Sequence, residues 1–378
     1  MKTIITSILL LCAAMVNAQH HYTVEVDLSS MSGKPRMLYL WYDGIGSGSE
    51  HAHYDSAVVV HGKAQFRGTV AMSGEAYLTQ ISQEALRAAG RRLPDVTHGD
   101  ALKFYLEPAA LTIYCSDSLS NYVVAGGRYS NDYRQLKKVE DEFLSRRDCY
   151  YYPELERVYA DSAGFKKLLR AYEMVEGDYY NITLRNFVLS HPNSLVSLLA
   201  LRAIQRKNGD DLRLCNMLLK SLSSSVTRAP EARDIRDYRN TVNRTAVGVQ
   251  APVFSLANDI GEVHTLWAYR GSYVLLEFWS SSCEYCPAEY RKLKDLYEQY
   301  GQRKFAILGI SLGGFNGPVA KLYGIQDTPQ NYLIDPKGYI VAKNLWGDEL
   351  DAKLKEIFRS WQLESYTTPV FDKVSRKY

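Results

Sequence analysis

The sequence predicts a multidomain chain with three parts: an N-terminal antiparallel β domain, a helical connector and a C-terminal α/β unit. Three observations predict it. At 378 residues the chain exceeds what one ordinary domain needs. Near residue 130 the apolar pattern changes from two-residue alternation to helical spacing. From Val247 onward, buried-type strands alternate with helix patterns, as in an α/β sheet unit.

Composition excludes several classes. Apolar residues make up 46% and charged residues 23%, the balance of a globular protein rather than a disordered one. The 45 basic and 42 acidic side chains leave a net charge of +3, too even for a nucleic-acid binder that works by counterion release. Beyond the first 18 residues no apolar run approaches the ~20 residues of a membrane helix. Six cysteines are too few for a disulfide-stapled miniature scaffold. Met1-Lys2, the apolar run Ile4 to Val16 and the small residue Ala18 read as a signal peptide cleaved after Ala18. Cys12 raises a lipoprotein reading, but Leu11 stands where such signals carry a small residue. Export implies an oxidising or managed compartment, the periplasm or cell envelope, and leaves five cysteines, an odd number.

The elements follow in order. Residues 19–129 are the β domain, a sandwich or barrel of short strands. Tyr22, Val24, Val26 and Leu28 alternate with polar residues; Met37 to Tyr42, Ala57 to Val60, Ala76 to Ile81, Lys103 to Leu106 and Leu111 to Cys115 are further strands, and His61-Gly62-Lys63 is a hairpin turn. Residues 130–246 are the connector. Asn131 to Arg146 is a charged helix, Asn193 a candidate N-cap, and Gly209 the stop of a run through Leu195, Leu198, Leu199 and Ala203. Leu212, Cys215, Leu218, Leu219 and Leu222 line one helix face, and Ala229 to Thr245 is a last helix. Residues 247–378 form the α/β unit: strands at Val274 to Trp279, Phe305 to Leu312, Tyr332 to Asp335 and Tyr339 to Leu345, and helices after Cys286, at Val319 to Tyr323 and at Leu350 to Phe358.

The chemistry lies in Cys283-Glu284-Tyr285-Cys286, directly after a strand and at a helix start. A helix N-terminus presents free N–H groups and partial positive charge, which stabilise a thiolate, the nucleophile of disulfide exchange. Two intervening residues put both sulfurs on one turn. Half a zinc site has the same spacing, but no second CxxC or HxxxH lies within reach, so no metal is expected. No cofactor beyond a Cys283–Cys286 disulfide is needed.

Val274-Leu275-Leu276-Glu277-Phe278-Trp279 before these cysteines, and Tyr323-Gly324-Ile325, Thr328-Pro329 and Tyr332-Leu333-Ile334-Asp335 after them, resemble the thioredoxin family. Ala251-Pro252-Val253-Phe254 and Leu333 to Gly338 are similar to its exported subgroup, the TlpA-like cytochrome-assembly thiol reductases. Residues 20–130 more loosely resemble the small DUF4369 β domain of Bacteroidota proteins, through Asp55 to Val59 and Leu106-Glu107-Pro108. The resemblance implies a thioredoxin fold over 247–358 and a cis-proline at Pro329 facing the cysteines. It implies Cys283 as nucleophile, Cys286 as resolving thiol, and substrate binding along the backbone of Thr328 and Pro329. It also implies protein thiol or disulfide substrates and a membrane thiol-electron carrier as partners. The chain departs from the family in three places. Ser282 replaces a tryptophan. Glu284, beside Tyr285, puts a redox-tuning carboxylate next to the nucleophile. Only Gly313 to Asn316 stand where the subgroup carries an extra helix and strand.

Glu277 interrupts a buried-type strand. It is either a proton acceptor for Cys286, as the resemblance implies, or an exposed acid on the other face; a strand flanked by helices on both sides favours the first. Cys115 and Cys215 read as buried small apolar residues, with a Cys115–Cys149 bridge left open. His51 and His53 read as a solvated loop. Two rival functions stand beside disulfide exchange: a peroxiredoxin-like thiol peroxidase, echoed by Cys286-Pro287-Ala288-Glu289, and a non-catalytic envelope scaffold.

Overall fold

The computed structural model describes residues 20–43, 52–89, 101–148, 162–209, 211–258, 260–281, 283, 286–301, 303–312, 317–326 and 328–361. The signal peptide, Gln19, His51, Cys149, Ser282, Glu284, Tyr285 and the Gly313 to Asn316 connection lie outside the described residues. The chain divides into two compact units, Met1–Ile235 and Arg236–Tyr378.

Among the described residues of the first unit, eight strands form two four-stranded sheets. They are β1 (His20–Asp27), β2 (Met37–Asp43), β3 (Ala52–Val58), β4 (Lys63–Val70), β5 (Gly74–Thr79), β6 (Ala101–Leu106), β7 (Ala110–Cys115) and β8 (Tyr122–Gly126). One sheet runs β4-β1-β7-β8 and the other β3-β2-β5-β6. Alternation explains the sandwich. Val24, Val26, Phe66, Leu111 and Ile113 of the first sheet and Leu38, Leu40, Leu78, Leu102 and Phe104 of the second share one dry core. The turn at His61-Gly62 has both residues at positive φ, 50° and 79°, as a two-residue hairpin requires. One pair departs from the antiparallel expectation: β1 and β7 are parallel, Thr23 opposite Ala110. β6 and β7 are joined by only three residues yet belong to different sheets, so the chain crosses the sandwich there and enters beside β1. His53 sits on β3 with its ring stacked on Tyr42, centroids 5.0 Å apart, rather than in a loop.

A short helix α1 (Gln83–Ala88) follows β5. The helical region comprises α2 (Ser130–Arg146), α3 (Ser162–Asp178), a π-helical stretch Tyr179–Leu184, α4 (Arg185–Ser190), α5 (Ser197–Asn208), α6 (Leu212–Ser221), α7 (Ser224–Arg228) and α8 (Arg233–Arg244). It is more than a spacer. Tyr105 of β6 is buried among Tyr133, Leu136 and the helical core, and Tyr133 Oη donates to Glu75 Oε1 at 3.0 Å. Asn193 does not cap α5. Ser194 Oγ instead accepts from Val196 N–H at 3.3 Å, and the helix begins at Ser197. Gly209, with φ 52°, ends that helix as expected.

The second unit carries a hairpin, β9 (Ser255–Ala257) and β10 (Val263–Thr265), and a four-stranded sheet in the order β12-β11-β13-β14. Its strands are β11 (Tyr273–Trp279), β12 (Phe305–Ser311), β13 (Gln330–Ile334) and β14 (Ile340–Lys343); its helices are α9 (Cys286–Tyr300), α10 (Pro318–Tyr323) and α11 (Gly347–Trp361). β11 and β12 are parallel, whereas β13 runs antiparallel to both its neighbours. The two sheet faces build separate cores. Val274, Leu276 and Phe278 pack with Val319, Tyr323 and Phe254. Leu275 and Leu333 pack on the opposite face with Leu293 and Leu296 of α9 and Leu350, Leu354 and Phe358 of α11. Strand alternation therefore sends Glu277, two residues from Leu275, toward α9 and α11. Among the described residues no helix is long and apolar enough to cross a membrane.

Candidate redox site

Cys283 and Cys286 form a disulfide, S–S 2.06 Å with Cα atoms 5.5 Å apart. Both are half-buried at the head of α9. Cys286 N–H donates to Cys283 Sγ at 3.1 Å, so a helix-terminal donor already points at the sulfur that would carry thiolate charge. The loop leading in is tight: Cys283 N–H donates to Ser280 O at 3.2 Å. Ser280 Oγ and Thr328 Oγ1 share a hydrogen bond of 3.0 Å, tying this loop to the segment before β13, where the Thr328–Pro329 bond is cis.

Glu277 is 6% exposed, which rules out an exposed acid on the far face. Its carboxyl is pushed up from 4.5 to about 8, first by burial, then by the negative charge of Glu289, with an Asn331 hydrogen bond acting the other way. Its Oε2 has no hydrogen-bond partner. A group so placed is neutral at pH 7 and holds a proton it can release near physiological pH.

Glu289, which its local sequence does not single out, belongs with this site, and the helix pattern explains its place. Leu293, Leu296 and Tyr300 form the buried stripe of α9. Extended backward at helical spacing, the same stripe reaches Glu289 and then Cys286. Cys286 and a second carboxylate thus lie on the helix stripe that faces the sheet where Glu277 stands. Nothing local distinguishes Asn331 either, which lies opposite Glu277 on β13 and is 1% exposed.

Cys115 is a free, buried thiol whose pKa burial pushes up to about 11, which makes it inert near neutral pH. Cys215 is buried and donates to Gln205 Oε1 at 3.6 Å. Among the described residues no three metal-ligating side chains gather.

Comparison with known proteins agrees with this geometry. Residues 247–316 match the AhpC/TSA family, and residues 22–133 match a domain of unknown function, DUF4369. The chain is 30% identical over 116 residues to a thiol-disulfide oxidoreductase ResA of Geobacillus thermodenitrificans, covering 25% of this chain and 67% of that protein. It is 32% identical over 139 residues to the ResA of Oceanobacillus iheyensis, covering 29% of this chain and 72% of that one. A solved thiol-disulfide oxidoreductase from Bacteroides fragilis shares 34% identity over 29% of this chain and 98% of its own, with a TM-score of 0.27. Through its C-terminal third the chain belongs to the thioredoxin-fold, ResA-like thiol-disulfide oxidoreductase family, here preceded by a DUF4369 domain. It carries a redox-capable cysteine pair, and its activity is of the thiol-disulfide oxidoreductase type.

Proposed function

We propose that the protein is an exported enzyme that exchanges the Cys283–Cys286 disulfide with protein substrates, chiefly as a reductant, in the manner of the cytochrome-assembly thiol reductases. The observation that carries this reading is a disulfide at a helix head on the same helix stripe as a carboxylate coupled to a buried acid. In the reduced protein the Cys283 thiolate attacks a substrate disulfide, forming a mixed disulfide and releasing one substrate thiolate. Glu277, once it has released its own proton to solvent, takes the proton of Cys286. The Cys286 sulfur then attacks Cys283 Sγ, closing the internal disulfide and releasing the second substrate thiolate. Two electrons pass to the substrate. In the return direction the protonated Glu277 supplies the proton to the leaving Cys286. A membrane thiol carrier resets the pair from the cytoplasmic side. Thr328 and Pro329 hold the substrate chain as an added strand.

In this reading residues 1–18 direct export to the periplasm or cell envelope. Residues 19–129, 130–246 and 247–378 are the β, helical and catalytic parts. Reduction of insulin by dithiothreitol, followed by turbidity, tests the activity. The wild-type protein should accelerate it and Cys283→Ser should not; no acceleration by wild type removes the reading.

Glu284 serves as a tuning residue. A carboxylate beside Cys283 opposes the helix-terminus effect, raises the thiol pKa and lowers the reduction potential. Glu284→Gln should raise the potential by a few tens of millivolts, at about 30 mV per 1.4 kcal/mol for two electrons. Equilibration against a glutathione buffer measures it, and an unchanged or lower potential contradicts the role.

The AhpC/TSA match over 247–316 favours a second reading, a thiol peroxidase. A Cys283 thiolate would attack a hydroperoxide, releasing the alcohol, and Cys286 would displace water from the sulfenic acid to give the same disulfide. Peroxide consumption driven by a thiol distinguishes it.

A further inference from the structure

Glu277 has two lateral neighbours in the sheet, and only one carries a side chain. On β12 the residue opposite is Gly309; on β13 it is Asn331. Directly opposed residues of an antiparallel pair project to the same face with Cβ atoms about 5 Å apart. The face is the one that Leu275 and Leu333 bury against α9 and α11. The groups that look onto Glu277 are therefore few. α9 brings Glu289 and, one turn earlier, Cys286, whereas α11 brings Leu350 and Leu354, both apolar. Among the described residues the neutral donors on this face are Asn331 and the Trp279 indole, whose Nε1 lies over Gly309.

The Asn331 amide is not free to turn. Its Oδ1 accepts from Leu345 N–H at 3.1 Å, and its Nδ2 donates to Leu345 O at 2.8 Å. A peptide unit that offers one donor and one acceptor settles which end of the amide is oxygen. It also consumes one of the two N–H groups of Nδ2. The backbone is pinned as well: Asn344 N–H donates to Asn331 O at 2.9 Å, and Asn331 N–H to Asn344 Oδ1 at 3.3 Å. One N–H of Nδ2 remains, on the residue that the strand register sets directly opposite Glu277. Glu277 Oε2 is buried without a hydrogen-bond partner, so that carboxyl has an acceptor site open.

We propose that Asn331 is a positioning residue that offers its remaining N–H to the Glu277 carboxyl and so holds it for proton exchange with Cys286. This rests on the reading of Glu277 as the proton acceptor. An N–H donor favours the ionised carboxyl, whereas burial and Glu289 both favour the neutral one. Asn331 is thus the counterweight that keeps the proton exchangeable near pH 8 instead of locking it on. Its anchors on Leu345 lie outside the redox site, so the grip is held whichever redox state the cysteines adopt.

Two substitutions of one shape separate this role from a structural one. Asn331→Val and Asn331→Thr both lose the Leu345 clamp and both suit a strand, but only threonine keeps a hydroxyl that can donate to Glu277. The full chain, oxidised, is labelled with ¹³C at glutamate carboxyls, and the Glu277 signal is assigned by its loss in Glu277→Gln and followed with pH. Asn331→Val should raise the Glu277 midpoint above that of wild type, by about tenfold in proton affinity, as loss of one charge-assisted hydrogen bond requires. Asn331→Thr should bring it back toward wild type. Equal midpoints in the two variants, or a Val variant at or below wild type, overturn the proposal. The midpoint is read without turnover, so it decides this point even if Glu277 takes no part in exchange. That separate failure would show as an exchange-rate pH profile unchanged by Glu277→Gln.

Discussion

A Cys286→Ser protein mixed with an oxidised protein substrate should accumulate a covalent mixed disulfide through Cys283, and its turnover should be lost. The expectation follows from the unequal places of the two sulfurs. Cys283 lies just before α9 and receives the Cys286 N–H at 3.1 Å, a donor that stabilises charge on that sulfur and not on the other. Cys286 is the first residue of α9, on the stripe that continues through Glu289 and Leu293 toward the sheet. With serine at 286, Cys283 attacks but nothing resolves the product. Mass spectrometry under non-reducing conditions should find the substrate attached at Cys283. The Cys283→Ser protein should trap nothing. Alkylation of the reduced wild type near neutral pH should label Cys283 first; labelling at Cys286 first would reverse the assignment of roles.

Glu277→Gln should change two pH dependences at once. The first is stability. The folded-state carboxyl is raised from 4.5 to about 8, mainly by burial. Between those values the folded protein keeps a proton that the unfolded chain has released, so the unfolded state binds fewer protons and stability falls as pH rises. The loss starts near pH 4.5, grows through pH 8 and levels off above it. Glutamine never ionises, so Glu277→Gln should be flat across this window. Its advantage over wild type at pH 9 should be on the order of 5 kcal/mol, since each pKa unit is worth about 1.4 kcal/mol. Urea unfolding of the oxidised proteins at pH 6 and pH 9 measures it. The second is rate. Removal of a general acid–base group typically costs about 10²–10⁴-fold, so exchange near neutral pH should slow by at least about 10²-fold and lose its pH step. A stability profile parallel to wild type, together with an unchanged rate, would mean that Glu277 neither carries the buried proton nor uses it.

Much of this arrangement is legible in the residues themselves. Cys283 and Cys286 declare their chemistry by spacing and by the strand and helix on either side. Glu277 declares itself as a charge in a run that must be buried. These are local signals. Glu289 and Asn331 escape a local reading for different reasons. Glu289 lies on a stripe that the spacing of Leu293, Leu296 and Tyr300 already draws, but a carboxylate in a first helical turn is ordinarily explained by the helix dipole. Asn331 acquires its meaning only from a strand register that sets it opposite Glu277, 54 positions earlier in the chain, and from a turn at Asn344 and Leu345 that holds its amide. Alternation shows which face a residue takes, not which strand lies alongside. The same limit accounts for β1 and β7: both read correctly as strands, whereas their parallel pairing depends on the chain passing from one sheet to the other at Glu107 to Ala109. Asn193 misleads because a polar residue after proline is a good cap in isolation, whereas the loop closes on His191 and the helix starts after Val196 with no side-chain cap.

The central claim is that Cys283 and Cys286 pass two electrons to a disulfide in another protein. Counting thiols on both partners tests it most directly. The reduced full chain is mixed with an oxidised protein substrate, the reaction is stopped with a maleimide, and labelled cysteines are located by mass spectrometry. The account predicts that Cys283 and Cys286 lose their labels together while the substrate gains two thiols for each chain oxidised, with Cys115 and Cys215 unchanged. Retention of both thiols in the presence of the protein disulfide, with their loss only when a hydroperoxide is supplied, would contradict it.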